Sequence, residues 1–314
     1  MTHLARPALG LLLPKLPEFA GRAAERVYRK LPEPVRRAAR RVGLTRERLL
    51  GAPPELLPKG WLSPGDDALV PPRSLWLDPR ASIQHYYRWI WEYLAYLTLL
   101  CDLRRDAAVL ELACSHGRTA LGLVGYLRSP GRYCGLDVDR RSLDEARERI
   151  GRRHHNFDFV FADVLNNNYN PQGAEPASTY VFPFADASFD VIYAASLFTH
   201  LLPDEARNYF RQTHRVLKAG GRCLFSVIVL DHYRGHGTTI TPAVYEFNHD
   251  LEKGVAVRDL ERPHALIGYS LEWLSSCASQ AGLRLVRVLP GYWSNHYSDV
   301  AVNEQDLLLL TRDT

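Results

Sequence analysis

Hydrophobic residues between positions 107 and 311 fall into short runs separated by segments with helical spacing. The apolar runs have the length of strands and lie at 107–113, 132–137, 157–162, 189–195, 222–230, 284–289 and 305–311. The helical segments lie at 117–128, 141–152, 203–218 and 270–281. Alternation of strands with helices predicts a doubly wound α/β fold, in which a mainly parallel sheet is covered on both faces.

Three further segments refine this predicted fold. The last two strands are joined by PGYWSNHYSDVAVNE, which leaves no room for a helix, so we expect them to pair antiparallel at one side of the sheet. The KAGGR segment at 218–222 is predicted to end a helix and start a strand. Upstream, residues 81–103 lack glycine and proline and are apolar around most of a helical circumference, which predicts a long, largely buried helix.

Residues 1–80 have a different character and hold 12 of the 20 prolines. Short helices fit between these prolines at about 20–31 and 34–42, but a regular domain does not. We therefore divide the chain into a basic, Pro-rich N-terminal extension, 1–80, and a globular domain, 81–314. Two stretches of that domain, 164–186 and 231–266, break the alternation and are predicted to be lid-like insertions at the ligand-binding edge of the sheet.

Charge is concentrated at the N-terminus. The chain has a net charge of +4, yet residues 1–50 contain 12 Lys and Arg against 4 Asp and Glu, a net charge of +8. Residues 20–48 are interpreted as solvated short helices or a packing element. Two alternatives stay open: contact with an anionic membrane surface, at about 1 kcal/mol per basic residue, or contact with RNA phosphates, which would depend strongly on salt.

The overall composition places the chain among globular proteins, with 46% hydrophobic and 24% charged residues. No apolar run approaches the roughly 20 residues that span a bilayer. Five scattered cysteines without a Cys-x-x-Cys pair favour a reducing compartment, so we expect a cytoplasmic protein. No His or Cys cluster has the spacing of metal ligands, so no metal is predicted.

The stretch AAVLELACSHGRTALGL, residues 107–123, reads as a buried strand, a turn of small residues and a helix. The first turn of such a helix has unpaired N–H groups and a positive dipole. Glu111 lies near the end of this strand, Asp137 ends the second strand and Asp163 follows the third. A carboxylate at the end of the second strand can accept hydrogen bonds from ribose hydroxyls.

Together these motifs resemble the class I S-adenosylmethionine-dependent methyltransferases. The acidic-x-Gly-x-Gly-x-Gly motif of that family appears as Glu111-x-Ala113-x-Ser115-x-Gly117, so two glycines are replaced by small residues. GLDVD and ADV match the second and third motifs, and FPFADASFDVIYAASLFTHL (182–201) and THRVLKAGGRCLFSV (213–227) match the fourth-strand block and the helix after it. The resemblance covers about 200 residues and implies a Rossmann-like, seven-stranded sheet whose last strand is antiparallel.

The resemblance implies S-adenosyl-L-methionine as the cofactor. The positions that it assigns to cofactor binding are Glu111, Ala113, Cys114, Ser115, Gly117, Asp137, Val138, Asp163, Val164 and Ser196. His200, just after the fourth strand, is the candidate base or acceptor contact. The acceptor site is predicted to include Tyr87, Tyr233, His236, Trp293 and His296.

The acceptor is predicted to be a small organic molecule methylated on oxygen, such as a sugar, a phenol or a secondary metabolite. The segment after the fourth strand reads AASLFTH and lacks the Asn/Asp-Pro-Pro-aromatic block of DNA amino-methyltransferases, which argues against DNA. Two other functions stay open. The basic N-terminal extension would suit RNA or a lipid-linked glycan, and the replaced glycines would suit a regulatory module that binds S-adenosylmethionine without catalysis.

Overall fold

The computed structural model describes residues 69–72, 74, 76, 83–232, 245–295, 301 and 303–314. These residues belong to one compact unit, Pro64–Thr314. The predicted helices and basic segment of the N-terminal extension lie outside the described residues. Within the described residues, no helix is long and apolar enough to cross a bilayer.

A seven-stranded sheet forms the centre of this unit, in the order β3-β2-β1-β4-β5-β10-β9. Its strands are β1 Ala108–Leu112, β2 Arg132–Asp137, β3 Phe157–Phe161, β4 Phe189–Ala194, β5 Leu217–Val227, β9 Arg284–Leu289 and β10 Asp306–Thr311. The first five strands pair in parallel, and β10 is antiparallel to both β5 and β9. This topology confirms the predicted fold class.

Helices cover both faces of the sheet, as predicted. They are α1 Ile83–Leu100, α2 Ala120–Val124, α3 Arg140–Ala146, which continues as a π-helical turn Arg147–Gly151, α4 Pro203–Val216 and α5 Leu271–Gln280. Along β1, Val109 joins the core under α1, α2 and α3, whereas Leu110 and Leu112 join the core under α4 and α5. Burial of β1 on both faces explains its nearly continuous apolar sequence.

Three local predictions were wrong. The helix expected at 117–128 is confined to Ala120–Val124, since Gly117 adopts a left-handed backbone conformation with φ of 75° and a turn follows it. The helix expected to reach 218 ends at Val216, and β5 starts at the next residue. KAGG therefore lies in an irregular part of β5, where the pairing with β4 shifts register.

The insertion at 231–266 is also more regular than expected. It contributes β6 His249–Glu252 and β7 Val255–Val257, which form a small antiparallel sheet with β8 Ile267–Tyr269. These strands have only three or four residues each, and three of the four residues of β6 are polar. Such short segments carry no readable alternation of apolar and polar positions.

Candidate functional site

A cavity of about 370 Å³ lies at the carboxyl ends of β1, β2, β3 and β4. Both predicted lid-like insertions contribute to its wall, the first through residues 164–168 and 176–177, and the second through residues 261–265. The sheet and the segments that follow its strands supply the remaining wall: Leu112, Ala113, Leu136, Asp137, Val138, Ala162, Leu197, His200, Leu201, Glu205 and Tyr209. The cavity therefore occupies the edge where ligands bind in open α/β sheets.

The loop after β1 keeps the backbone path of a glycine-rich turn although two glycines are absent. Ala113 has a φ of 59°, Ser115 of 49° and Gly117 of 75°, all in the left-handed region. For a residue with a side chain this conformation costs about 1–2 kcal/mol. The loop also packs tightly on β2, because a Cβ atom added to Gly135 would lie 2.6 Å from the Cys114 Sγ atom. The surrounding structure thus imposes this path on Ala113 and Ser115.

Asp137 connects that loop to the end of β2. Its Oδ2 atom accepts the Ser115 N–H at 2.6 Å, and its Oδ1 atom accepts the Asp139 N–H at 2.8 Å. Burial raises the pKa of Asp137, while the two N–H groups oppose that rise. Each carboxylate oxygen has a second acceptor site, so Asp137 retains capacity for a ligand hydroxyl on the cavity side.

The cavity wall next to Asp137 is apolar. Val138, Ala162, Val164 and Leu197 line it with aliphatic groups. Asp163, between two of these residues, is itself exposed, and its Oδ1 atom accepts a hydrogen bond from the Asn170 amide at 3.2 Å. Of the predicted cofactor residues, Ala113, Asp137, Val138 and Val164 line the cavity.

Glu111 and Cys114 lie behind the loop, in the interior. The Glu111 carboxylate is 2% exposed and accepts hydrogen bonds from Thr119, from Tyr133 at 2.5 Å and from Tyr193 at 2.8 Å. Burial raises the pKa of Glu111 to about 7, against the lowering effect of these hydroxyls. Burial also raises the pKa of the Cys114 thiol. Neither side chain lines the cavity, and Glu111 instead joins β1, β2, β4 and the start of α2.

Ser196 follows β4 in a left-handed conformation, with φ of 65°. Its N–H donates to the Ser226 Oγ atom at 2.6 Å, and its own Oγ accepts the Gln305 amide at 2.6 Å. The Ser226 hydroxyl in turn donates to the Gln305 side-chain oxygen at 2.8 Å, so each of these three residues is hydrogen-bonded to the other two. Ser226 and Gln305 were not predicted from the sequence, where isolated polar residues near strand ends give no distinctive signal.

His200 lines the cavity and pairs with His264 from the second insertion. The His200 Nδ1 atom lies 2.9 Å from the His264 carbonyl oxygen, and the His264 Nδ1 atom lies 3.0 Å from the His200 carbonyl oxygen. Because a carbonyl only accepts, each Nδ1 carries the proton and each Nε2 is the basic nitrogen. Loss of hydration lowers the pKa of His200 below its usual value, which favours the neutral ring.

The predicted acceptor residues are only partly described. Trp293 is fully buried in the core rather than along the cavity, and its Nε1 donates to Asp306 at 2.8 Å. Tyr87 is half-buried on α1, with its ring edge against Tyr86. The remaining three, Tyr233, His236 and His296, lie outside the described residues.

Asp306 reveals a second histidine contact that sequence reasoning did not assign. This fully buried carboxylate accepts hydrogen bonds from the Val229 and Gly291 N–H groups as well as from Trp293, and it lies 2.7 Å from the His232 Nδ1 atom. The arrangement fixes the segment after β5 against the start of β10. Among the described residues, no group of three His, Cys, Asp or Glu side chains could hold a metal ion.

Comparison with known proteins extends these observations. Residues 109–221, from β1 into β5, match a family described as a methyltransferase domain. The O-methyltransferase cnsE of Penicillium expansum is 27% identical over 126 residues, which make up 40% of this chain and 39% of that protein. An uncharacterized protein of Haemophilus influenzae is 29% identical over 127 residues, 40% of this chain and 44% of that protein. The chain thus spans less than half the length of these curated relatives.

Solved structures also resemble the chain. The PH0226 protein of Pyrococcus horikoshii OT3 is 18% identical, with a TM-score of 0.49 over 74% of this chain and 92% of that one. An S-adenosylmethionine-dependent methyltransferase from Clostridium acetobutylicum is 16% identical, with a TM-score of 0.47 over 73% of this chain and 92% of that one.

Proposed function

Because residues 109–221 match a methyltransferase-domain family, we propose that the chain transfers the methyl group of S-adenosylmethionine to an oxygen atom of a small organic acceptor. The observation that carries this proposal is the composition of one cavity wall. The left-handed loop at Ala113, the carboxylate of Asp137 and the imidazole of His200 all face the same space.

The residues around the cavity fit an adenosyl group. The cavity volume of about 370 Å³ lies within the range of about 300–1,000 Å³ that is usual for small-molecule sites. Asp137 would hold the ribose hydroxyls, and the aliphatic side chains of Val138, Val164 and Leu197 would contact the flat base. The small side chains at Ala113 and Ser115 let the loop backbone approach the ligand.

Little further chemistry is required of the protein. S-adenosylmethionine, when bound, supplies a methyl group that its sulfonium has already activated, so placement of the acceptor in line matters most. His200 is neutral, with a basic Nε2 atom, and would accept the proton of an acceptor hydroxyl or hold that hydroxyl in place. The two insertions would shield this space from water.

Two observations support oxygen in a polar small molecule as the acceptor. Asn166, Asn167, Asn168 and Arg262 from the two insertions give the cavity a wall rich in hydrogen-bonding groups, which suits a hydroxylated compound. The Penicillium expansum relative is named an O-methyltransferase. No observation on the described residues favours the alternatives of RNA or a lipid-linked glycan.

Methyl transfer from S-adenosylmethionine labelled in its methyl group tests the proposal. A panel of phenols and sugars is assayed beside amines of matched size and shape. We expect label in the hydroxyl compounds and little in the amines. Arg262→Gln should raise the KM for the best acceptor, whereas Arg258→Gln, at an exposed arginine outside the cavity wall, should not. Label in the amines alone, or in no compound, would overturn transfer to oxygen.

A further inference from the structure

The Glu304 carboxylate has two neutral hydroxyl groups as its side-chain partners. It lies two residues before β10, and its Oε1 atom accepts a hydrogen bond from the Tyr245 hydroxyl, while its Oε2 atom lies 3.5 Å from the Tyr292 hydroxyl. Burial, followed by the hydrogen bond to Glu304 and the charge of Glu304, raises the pKa of Tyr245, so Tyr245 keeps its proton and donates it. No lysine, arginine or histidine in the described part of the chain forms an ion pair with Glu304.

Backbone hydrogen bonds hold Glu304 in place. Its carbonyl oxygen accepts the Trp293 N–H at 3.0 Å, and the Asn303 carbonyl oxygen accepts the Tyr292 N–H at 3.0 Å. The Glu304 N–H donates to the Asn303 side chain at 2.6 Å. These bonds join the short 3₁₀ helix Tyr292–Ser294 to the segment before β10. A charged group on a constrained backbone is preorganised, so it loses little conformational freedom when it binds a ligand.

Aromatic rings lie beside this carboxylate. The Tyr245 ring stacks on the Trp293 ring, with the ring centres 6.4 Å apart, and the Phe247 ring meets the same indole edge-on at 5.8 Å. Trp293 is fully buried, whereas Tyr245, Tyr292 and Glu304 are half-buried and so remain accessible to a ligand. A carboxylate next to aromatic faces favours a cation, because the negative charge and the ring quadrupoles both attract it.

Glu304 is connected to the cavity at the ends of β1 to β4. The next residue, Gln305, interacts with the Tyr245 hydroxyl and donates from its side-chain amide to the Ser196 Oγ atom at 2.6 Å. Ser196 directly precedes Leu197 in the cavity wall. Because β10 starts opposite the last residue of β5, Glu304 lies beyond the carboxyl ends of the parallel strands, where ligands bind in open α/β sheets. The cavity and the Glu304 carboxylate therefore lie at the same edge of the sheet.

We propose that Glu304, together with the rings of Tyr245 and Tyr292, binds a protonated amino group of the acceptor, so that the acceptor is a hydroxyl compound that also carries an amine. This inference rests on the proposed function. Each carboxylate oxygen has a second acceptor site, and an ammonium group forms charge-assisted hydrogen bonds there. A nitrogen held in this protonated form has no lone pair with which to attack the methyl group. The site therefore recognises the amine and leaves the hydroxyl as the atom to be methylated.

Binding of matched charged and neutral probes tests the cation site. Tyramine and glucosamine carry both a hydroxyl and an ammonium group, whereas N-acetyltyramine and N-acetylglucosamine keep the hydroxyl but lose the charge. Dissociation constants are measured by NMR titration with S-adenosylhomocysteine present. We expect the wild type to bind at least one amine about tenfold more tightly than its N-acetyl partner, which is the order expected for hydrogen bonds between charged groups. Equal affinities within both pairs, or no binding of either amine, would overturn the inference.

Glu304→Gln should weaken binding of the preferred amine about tenfold and change binding of its N-acetyl partner by less than about twofold. Tyr245→Phe keeps the carboxylate and the ring, so it should retain the preference for the amine. Glu246→Gln, the same change at an exposed neighbouring position, is the matched control and should behave as the wild type. A preference that survives in a folded Glu304→Gln protein, or that Tyr245→Phe abolishes equally, would overturn the role of the charge. Thermal unfolding establishes that each variant is folded, and if Glu304→Gln misfolds, the wild-type comparison decides.

Transfer of labelled methyl groups separates this inference from the proposed function. The amine that binds should be labelled on oxygen, as located by mass spectrometry of the product. Label on the oxygen of each amine and of its N-acetyl partner with equal kcat/KM, unchanged in Glu304→Gln, would overturn the cation site and leave the proposed function intact. Amine binding that depends on Glu304, with no label in any hydroxyl compound, would instead contradict the proposed function while the cation site stands. Label on the nitrogen would overturn both.

Discussion

The Asp137 carboxylate accepts the backbone N–H of Ser115 at 2.6 Å, and this contact holds the loop after β1 against the end of β2. The same carboxylate lines the cavity. One side chain therefore shapes the loop and faces the proposed cofactor. Substitutions in this region should therefore change both ligand binding and the stability of the fold.

Asp137→Asn should weaken binding of S-adenosylhomocysteine at least tenfold and destabilise the fold by about 1–3 kcal/mol. The amide can accept from one of the two N–H groups but presents a donor to the other, which leaves a buried group unpaired. Calorimetry measures the binding and chemical denaturation measures the stability. Asp158→Asn, at an exposed carboxylate on β3, is the control. Unchanged affinity in a folded Asp137→Asn protein would refute the ribose-binding role.

Ala113→Gly should stabilise the protein by up to about 1 kcal/mol. The left-handed conformation with φ of 59° is strained for alanine and open to glycine, although the greater freedom of glycine in the unfolded chain offsets part of the gain. Ala120→Gly, in the buried helix α2, should destabilise by about 1 kcal/mol or more. Denaturant titration of both variants and the wild type measures these changes in the free energy of unfolding. A loss of stability in Ala113→Gly would mean that the loop is not strained.

Glu111→Gln should change how stability depends on pH. Burial raises the folded-state pKa of Glu111 from 4.5 to about 7, so the folded protein binds more protons than the unfolded chain between these values. Stability should therefore fall as the pH rises through this window, by about 3 kcal/mol at most, and level off above it. The Glu111→Gln variant should lack this fall in stability.

Free energies of unfolding at several pH values between 4.5 and 8 test this. At each pH, the difference in unfolding free energy between the wild type and Glu111→Gln gives the contribution of the Glu111 carboxyl. Glu148→Gln, on the exposed surface of the π-helical turn, serves as the control. Parallel pH profiles for the wild type and Glu111→Gln would show that the pKa of Glu111 is not raised in the folded protein.

The positions of Glu111 and Asp137 show what the sequence could predict. The alternation of apolar runs with helical segments was sufficient to predict the seven strands and the helices on both faces of the sheet. The position of Asp137 at the end of a strand was sufficient to predict that it lies at the cavity. The side on which Glu111 points was not predictable from its motif. It alternates with Leu110 and Leu112, which face the other core, and two of its three hydroxyl partners, Tyr133 and Tyr193, come from other strands.

His200→Gln should lower kcat by about 10²–10⁴-fold if His200 removes the acceptor proton. The pKa of His200 is lowered, so the neutral ring should keep the wild-type enzyme active at pH values below the usual histidine range. Activity should fall only when the pH drops through that lowered pKa, and the variant should lack this acidic limb. Rates across pH for the best acceptor measure both effects.

Two histidine controls accompany that experiment. His264→Gln removes the ring that donates to the His200 carbonyl and should cause a smaller loss. His155→Gln, at an exposed histidine outside the cavity wall, should cause none. An unchanged pH profile in His200→Gln would leave His200 with no part in proton transfer.

Calorimetric titration of S-adenosylhomocysteine into a cavity-filling variant tests most directly the claim that the cavity at the ends of β1 to β4 holds the adenosyl group. Leu197→Trp places a large ring in the cavity wall, whereas Leu99→Trp adds the same ring at an α1 position that is 78% exposed. We predict binding by the wild type and by Leu99→Trp, and at least a tenfold loss in a folded Leu197→Trp protein. Equal affinity in all three proteins, or no binding by the wild type, would contradict the claim.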